Sequence, residues 1–274
     1  MSKPTRYGDS IIKEYFKTNE WLPITLFQVW EKNAKRFPER EAVVDGKNRY
    51  TWQEASVVIN RFALALAEAG FKKDDILVLQ LPNTAELPLL RVACEKAGVM
   101  CLPVLRNLRT REVEYILEHL NVTGIVIPWK YRGFDYFEMA TQLKPGLPAL
   151  KHIWVLDDAV PPGAVSVNNI FNTPLEQKYP SDYLSDRYYR PEEVSLVNHT
   201  TGTTGFPKFV EYPTAARLRL GRGFIETLKL SDSDVICALG AVPAGANCVV
   251  YFGAPQAGSK VVMLEHFEAE PALK

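Results

Sequence analysis

The chain has 274 residues, 47% hydrophobic and 23% charged, which suits a soluble globular protein with one large domain or two smaller ones. Lysine plus arginine equals aspartate plus glutamate at 32 each, so no global field argues for nucleic acid or an anionic membrane as partner. No stretch has the length of a signal-peptide core or a bilayer span, so membrane insertion is not expected and the expected location is cytoplasmic.

The predicted elements begin with "EAVVDGKNRYTW", two β-prone runs around Asp45-Gly46 that read as a hairpin. "TWQE" at 51–54 has capping-box spacing, and behind it Val58, Phe62, Ala65, Leu66 and Ala69 recur at helical intervals before Gly70, a natural C-cap. "DDILVLQLPN" is a buried strand, 84–97 a helix ending at Gly98, and "VMCLPV" a second strand. Val113, Ile116, Leu117 and Leu120 mark another helix, followed by the strands "GIVIP" and "HIWVL". Strands apolar on both faces and alternating with helices predict an α/β fold of mostly parallel sheets covered by helices.

Residues 157–193 are rich in Pro, Asn, Asp and Tyr and lack a clear period. They place a subdomain boundary near 190, giving an N-terminal α/β subdomain over 1–190 and the start of a second over 191–274; a long loop within one domain is the alternative. Beyond it come the strand "VSLVNH", a basic helix over 214–230, the strand "DVICALG", a helical stretch over 246–257 and the strand "SKVVML". The pattern stops soon after, so the chain is expected to be truncated.

Cys94, Cys101, Cys237 and Cys248 include no Cys-x-x-Cys pair, and the four histidines are scattered, so reduced thiols and no metal ligands are expected. The densest chemical signal is "VNHTTGTTGFPKFV". Gly202 and Gly205 let the backbone approach a ligand, and successive N–H groups there can converge on an anion. Thr200, Thr201, Thr203 and Thr204 add hydroxyls and Lys208 a charge, a set suited to phosphate oxygens. A flexible Thr/Gly surface turn is the alternative. The glycines are too close together for a Walker A loop, and no Gly-x-Ser-x-Gly stretch occurs. His199 either contacts phosphate or caps the strand end. Arg217, Arg219 and Arg222 either meet an anion or form a solvated helix face. The tyrosines of "YLSDRYYRP" are expected to pack against a neighbouring element.

"VNHTTGTTGFPK" resembles the signature loop of the adenylate-forming enzymes: acyl- and aryl-CoA synthetases, luciferases and peptide-synthetase adenylation domains. Every fixed position of that pattern is met from Val197 to Lys208. "RYTWQEASVV…LQLPNTAEL…KAGVMCLPV" is similar to the family's N-terminal region in the expected order, so the likeness covers most of the chain. "LQLPNTAEL" and "VPAGAN" are most similar to the aryl-acid ligases, such as dihydroxybenzoate–AMP ligase. The resemblance implies the N-terminal domain of that fold, incomplete at the C-terminus.

It also implies a chemistry: a carboxylate attacks the α-phosphate of ATP, and a thiol of coenzyme A or a pantetheine carrier then displaces AMP. Thr200, Thr201, Gly202, Thr203, Thr204 and Gly205 would hold the β- and γ-phosphates with Mg²⁺. Lys208 would assist or form a structural salt bridge. Ala246 stands where the family usually has a His that shapes the acid site, which puts the thiol step in doubt. Asn247 stands where aryl-acid ligases often carry a substrate-contacting Asn, or else caps a helix. The family's Mg²⁺ element, ribose-binding Asp and catalytic Lys would lie beyond Lys274, so no catalytic residue is assigned and this polypeptide alone is expected to be inactive. The expected partner is a small carboxylic acid; the oligomeric state is open, a homodimer included. The competing readings are a naturally short, non-catalytic paralogue that binds nucleotide or a partner, and a kinase or hydrolase built on the Thr/Gly loop.

Overall fold

The computed structural model describes residues 7–200, 207–240 and 248–265. Helices α1 (Asp9–Lys17) and α2 (Leu26–Arg36) lead into the hairpin β1 (Glu41–Val44) and β2 (Arg49–Thr51). Asp45 closes that turn, its Oδ1 accepting from the N–H groups of Lys47 and Asn48 at 2.7 Å each. Helix α3 (Trp52–Glu68) starts in the predicted capping box: Glu54 N–H donates to Thr51 Oγ1 at 3.2 Å, and Thr51 N–H donates to Glu54 Oε2 at 2.8 Å.

Strand β3 (Ile76–Leu79), helix α4 (Glu86–Ala97), strand β4 (Met100–Pro103), helix α5 (Thr110–His119) and strand β5 (Gly124–Ile127) then alternate as expected. Gly98 ends α4 at φ +70°, and a Cβ there would meet the Arg187 carbonyl oxygen at 2.3 Å, so the chain needs glycine on both counts. A short hairpin, β6 (Lys130–Tyr131) and β7 (Phe134–Asp135), precedes α6 (Tyr136–Leu143) and β8 (His152–Val155). The irregular stretch after 157 contains β9 (Val165–Ser166), α7 (Val167–Asn172) and two single 3₁₀ turns. Strands β10 (Val194–His199) and β11 (Phe209–Pro213) form an antiparallel pair ahead of α8 (Thr214–Leu228), β12 (Val235–Ala238), a π-turn over Val249–Gly253, α9 (Ala254–Ala257) and β13 (Lys260–Met263).

The main sheet has seven strands in the order β11-β10-β4-β3-β5-β8-β9, parallel except for β11. A second sheet runs β12-β13-β1-β2. Each sheet therefore draws strands from both sides of residue 190. Two apolar clusters cover the main sheet; Phe62, Leu77, Leu79 and Leu90 lie in one, Val78, Leu102, Ile125 and Tyr136 in the other. Alternation along β3, with Leu77 and Val78 on opposite faces, is the mark of a strand covered twice. Burying each such large side chain contributes about 1.5–3 kcal/mol.

Helix α4 is buried along its whole length, although it carries Glu86, Arg91, Glu95 and Lys96. Cys94, Cys101 and Cys248 are buried free thiols, while Cys237 is exposed. Tyr189 donates to Asp74 Oδ1 at 3.1 Å, and Tyr188 packs on Phe27 at 4.8 Å between ring centres. These two tyrosines therefore anchor the irregular segment.

Candidate functional site

The Thr/Gly loop leaves β10 at the carboxyl end of the parallel strands, where α/β sheets commonly bind their ligands. The strands that flank it pair in register up to its mouth, His199 opposite Phe209. One further pair closes it: Thr200 N–H donates to the Lys208 carbonyl at 2.9 Å, and Lys208 N–H donates to Thr200 Oγ1 at 3.0 Å. The Thr200 hydroxyl, having accepted one bond, retains its own proton to donate. Lys208 is exposed. The exposed Lys208 ammonium and the Thr200 hydroxyl proton are donors of the kind an anion takes. Thr201, Gly202, Thr203, Thr204 and Gly205 lie outside the described residues, as do Ala246 and Asn247.

His199 takes the strand-capping role. Its Nδ1 lies 2.9 Å from the Thr200 carbonyl and its Nε2 accepts from Leu105 N–H at 3.4 Å, which selects the neutral tautomer protonated on Nδ1. Burial holds its pKa below the ordinary value, against the smaller opposing pull of the Thr200 carbonyl. Both ring nitrogens are engaged, so the imidazole joins the end of β10 to the segment after β4.

Two buried amides brace the same edge. Gln80, just past β3, donates through Nε2 to the carbonyls of Leu105 at 3.3 Å and Leu108 at 3.0 Å. Asn83 Nδ2 donates to the Gly240 carbonyl at 2.7 Å, tying the end of β3 to the end of β12 immediately before 241–247. A separate cleft near the end of β5 is lined by Asp45, Glu86, Asp157, Asp158 and Glu265 against Lys47 and Lys130. Its acidic excess disfavours a polyphosphate.

The basic cluster of α8 divides: Arg219 and Arg222 stay partly solvent-exposed against the segment at 19–20, and Arg217 is buried. Arg219 forms an ion pair with Glu20, and Arg222 Nη2 donates to the carbonyls of Asn19 at 2.7 Å and Glu20 at 2.9 Å. Arg217 is buried, its guanidinium 3.4 Å from the centre of the Tyr212 ring and its Nη1 3.3 Å from Cys248 Sγ. Sequence reasoning passed over Arg91, a charged residue inside the apolar run "ELPLLRVACEKA"; that mismatch was the available signal. Among the described residues no group of three or more His, Cys, Asp or Glu could hold a metal ion, and no helix is long and apolar enough to cross a membrane.

Comparison with known proteins fits this geometry. A family model described as "AMP-binding enzyme" matches residues 30–274. A 2-hydroxy-7-methoxy-5-methyl-1-naphthoate–CoA ligase from Streptomyces carzinostaticus is 28% identical over 207 residues, 74% of this chain and 37% of that protein. The 2,3-dihydroxybenzoate-AMP ligase of Bacillus subtilis is 26% identical over 263 residues, 94% of this chain and 46% of the ligase. Among solved structures, apo MbtA of Mycobacterium smegmatis superposes with a TM-score of 0.87 at 22% identity, over 98% of this chain and 49% of that one. That likeness shows the fold. The chain thus spans less than half the length of the curated relatives named here.

Proposed function

The chain belongs to the AMP-binding enzyme family, and from that premise we propose that it is the N-terminal part of a ligase that activates a carboxylic acid with ATP. The observation that carries the reading is the β10–β11 hairpin, closed by the Thr200–Lys208 pair, which holds the Thr/Gly loop at the carboxyl edge of the main sheet. In this reading residues 191–274 open a second α/β unit while lending β10 and β11 to the first sheet. Thr200 to Gly205 and Lys208 hold the β- and γ-phosphates with Mg²⁺. Nucleotidyl transfer depends on positioning and charge neutralisation, which backbone amides, hydroxyls and one ammonium can supply.

The acid is a small aryl or acyl carboxylate, in keeping with the relatives' activities. It is held in part by Asn247, with Ala246 leaving room where the family usually has a His. The adenylate then passes to a thiol of coenzyme A or a pantetheine carrier, the polypeptide being cytoplasmic and able to act as a homodimer. The chain spans less than half the length of the ligases it matches, so in this reading residues 1–274 alone do not turn over.

The test is mass-spectrometric detection of an acyl-adenylate made by the full polypeptide from ATP and a panel of aryl and acyl acids. Thr203→Ala and Thr204→Ala should each weaken ATP binding at least tenfold. Unchanged ATP affinity in both variants would sink the phosphate-loop assignment, and hydrolysis of ATP without acid dependence would favour the kinase or hydrolase reading.

A further inference from the structure

The two ends of the Thr/Gly loop are anchored by different means. His199 holds the first end, its imidazole bridging the Thr200 carbonyl and Leu105 N–H. At the second end Phe209 lies against two rings of α5. Its ring centre is 6.1 Å from that of Tyr115 and 5.5 Å from that of His119, which are themselves 5.2 Å apart. The three planes are close to parallel, with angles of 18°, 23° and 22° in the same order. Offset-stacked rings at such separations attract one another beyond the area they bury. Tyr115 and His119 stand four residues apart on α5, so one helix face presents both.

Among the described residues β11 is the edge strand of the main sheet, paired with β10 alone. The register of that pair shifts between Val194 and Leu196. An edge strand with no fully buried face specifies its register weakly, and a slip of one residue exchanges its two faces. Exposure alternates where the strand begins: Lys208 and Val210 are exposed, Phe209 and Glu211 half-buried. Phe209 packs, with Tyr115, on the apolar cluster that contains Val113, Ile116 and Leu117 of α5. It is the aromatic that ties this end of the hairpin to that helix. A one-residue slip would bring Lys208 or Val210 onto the rings and break both bonds between Thr200 and Lys208.

We propose that Phe209 is a positioning residue: seated on Tyr115 and His119, it fixes the register of β11 and presents Lys208 on the face of the hairpin turned away from α5. This rests on the reading of the Thr/Gly loop as a phosphate site, and it adds a determinant that touches no phosphate. Phe209 acts through Lys208. Without the stack the loop keeps every donor, but its ammonium is no longer held in one place, and a charge contributes to binding only where it is held.

The experiment is calorimetric titration of Mg·ATP into the full polypeptide at fixed ionic strength, run as double-mutant cycles with position 208. Phe209→Leu and His119→Ala should each weaken binding about fivefold, while Phe209→Tyr, which keeps the ring, stays within about twofold. In a Lys208→Met background the first two changes should each add less than about twofold, because the group they position is gone. His119 is exposed, so its cycle is read whether or not Phe209→Leu folds. A penalty undiminished without Lys208, no penalty in either variant, or an affinity unmoved by Lys208→Met overturns this inference. If Thr203→Ala and Thr204→Ala still weaken binding, the phosphate-loop reading survives that result. If neither does, both fall.

Discussion

Glu95→Gln tests the electrostatics of the buried helix α4. Glu95 is 2% exposed, and burial raises its pKa to about 7, with Arg91 as the largest opposing influence. A carboxyl moved from 4.5 to about 7 loses roughly 3 kcal/mol in its ionised form, at ~1.4 kcal/mol per pH unit. Because the folded value is raised, the folded state holds the extra proton between pH 4.5 and about 7. The stability that protonated Glu95 contributes is therefore complete below 4.5 and lost as pH rises through about 7. Glutamine mimics the protonated form and keeps the oxygen that accepts from Leu26 N–H. The variant should match wild type near pH 4.5 and be about 2–3 kcal/mol more stable at pH 8, read by urea denaturation at the two pH values. A variant less stable than wild type at pH 8 would refute the reasoning. It would mean that Arg91 and the N-terminus of α2 stabilise ionised Glu95 by more than burial costs.

Gly98→Ala should destabilise by about 2–4 kcal/mol in urea denaturation, because it combines a positive φ with a backbone clash against Arg187. Thr51→Ala should cost about 1 kcal/mol in the same assay by removing the side-chain half of the α3 capping box. His199 has the opposite pH behaviour from Glu95: its folded pKa is depressed, so its contribution is present above the unfolded value of about 6.5 and lost as pH falls below it. Replacing it with Gln should flatten the loss of stability as pH falls below about 6.5, and an acid limb identical to wild type would remove the neutral-latch assignment.

Local signals were legible because they depend on neighbours in the chain. The Thr51–Glu54 capping box, the Asp45 turn, the Gly98 stop and the apolar strands β3, β4 and β5 all stand where spacing placed them. Which sheet a strand joins depends on distant partners, so the pairings of β10 with β4 and β1 with β13 could not be read from periodicity. The same limit hid the roles of the arginines on α8. Arg217 reads as one more solvated arginine until the fold brings Tyr212 and Cys248 against it. The π-turn over Val249–Gly253 was likewise masked, since its composition reads as ordinary helix. At the candidate site, the strand entering the Thr/Gly loop was legible in "VSLVNH", whereas its antiparallel partner β11, the Thr200–Lys208 closing pair and the amide braces Gln80 and Asn83 needed the folded edge of the sheet to become visible.

The most direct test of the central claim is ATP–pyrophosphate exchange by the full polypeptide, with and without carboxylic acids. The account predicts exchange that requires both an acid and Mg²⁺ and falls at least tenfold in Thr203→Ala or Thr204→Ala. Nucleotide binding without exchange for any acid, unaffected by either threonine change, would contradict it.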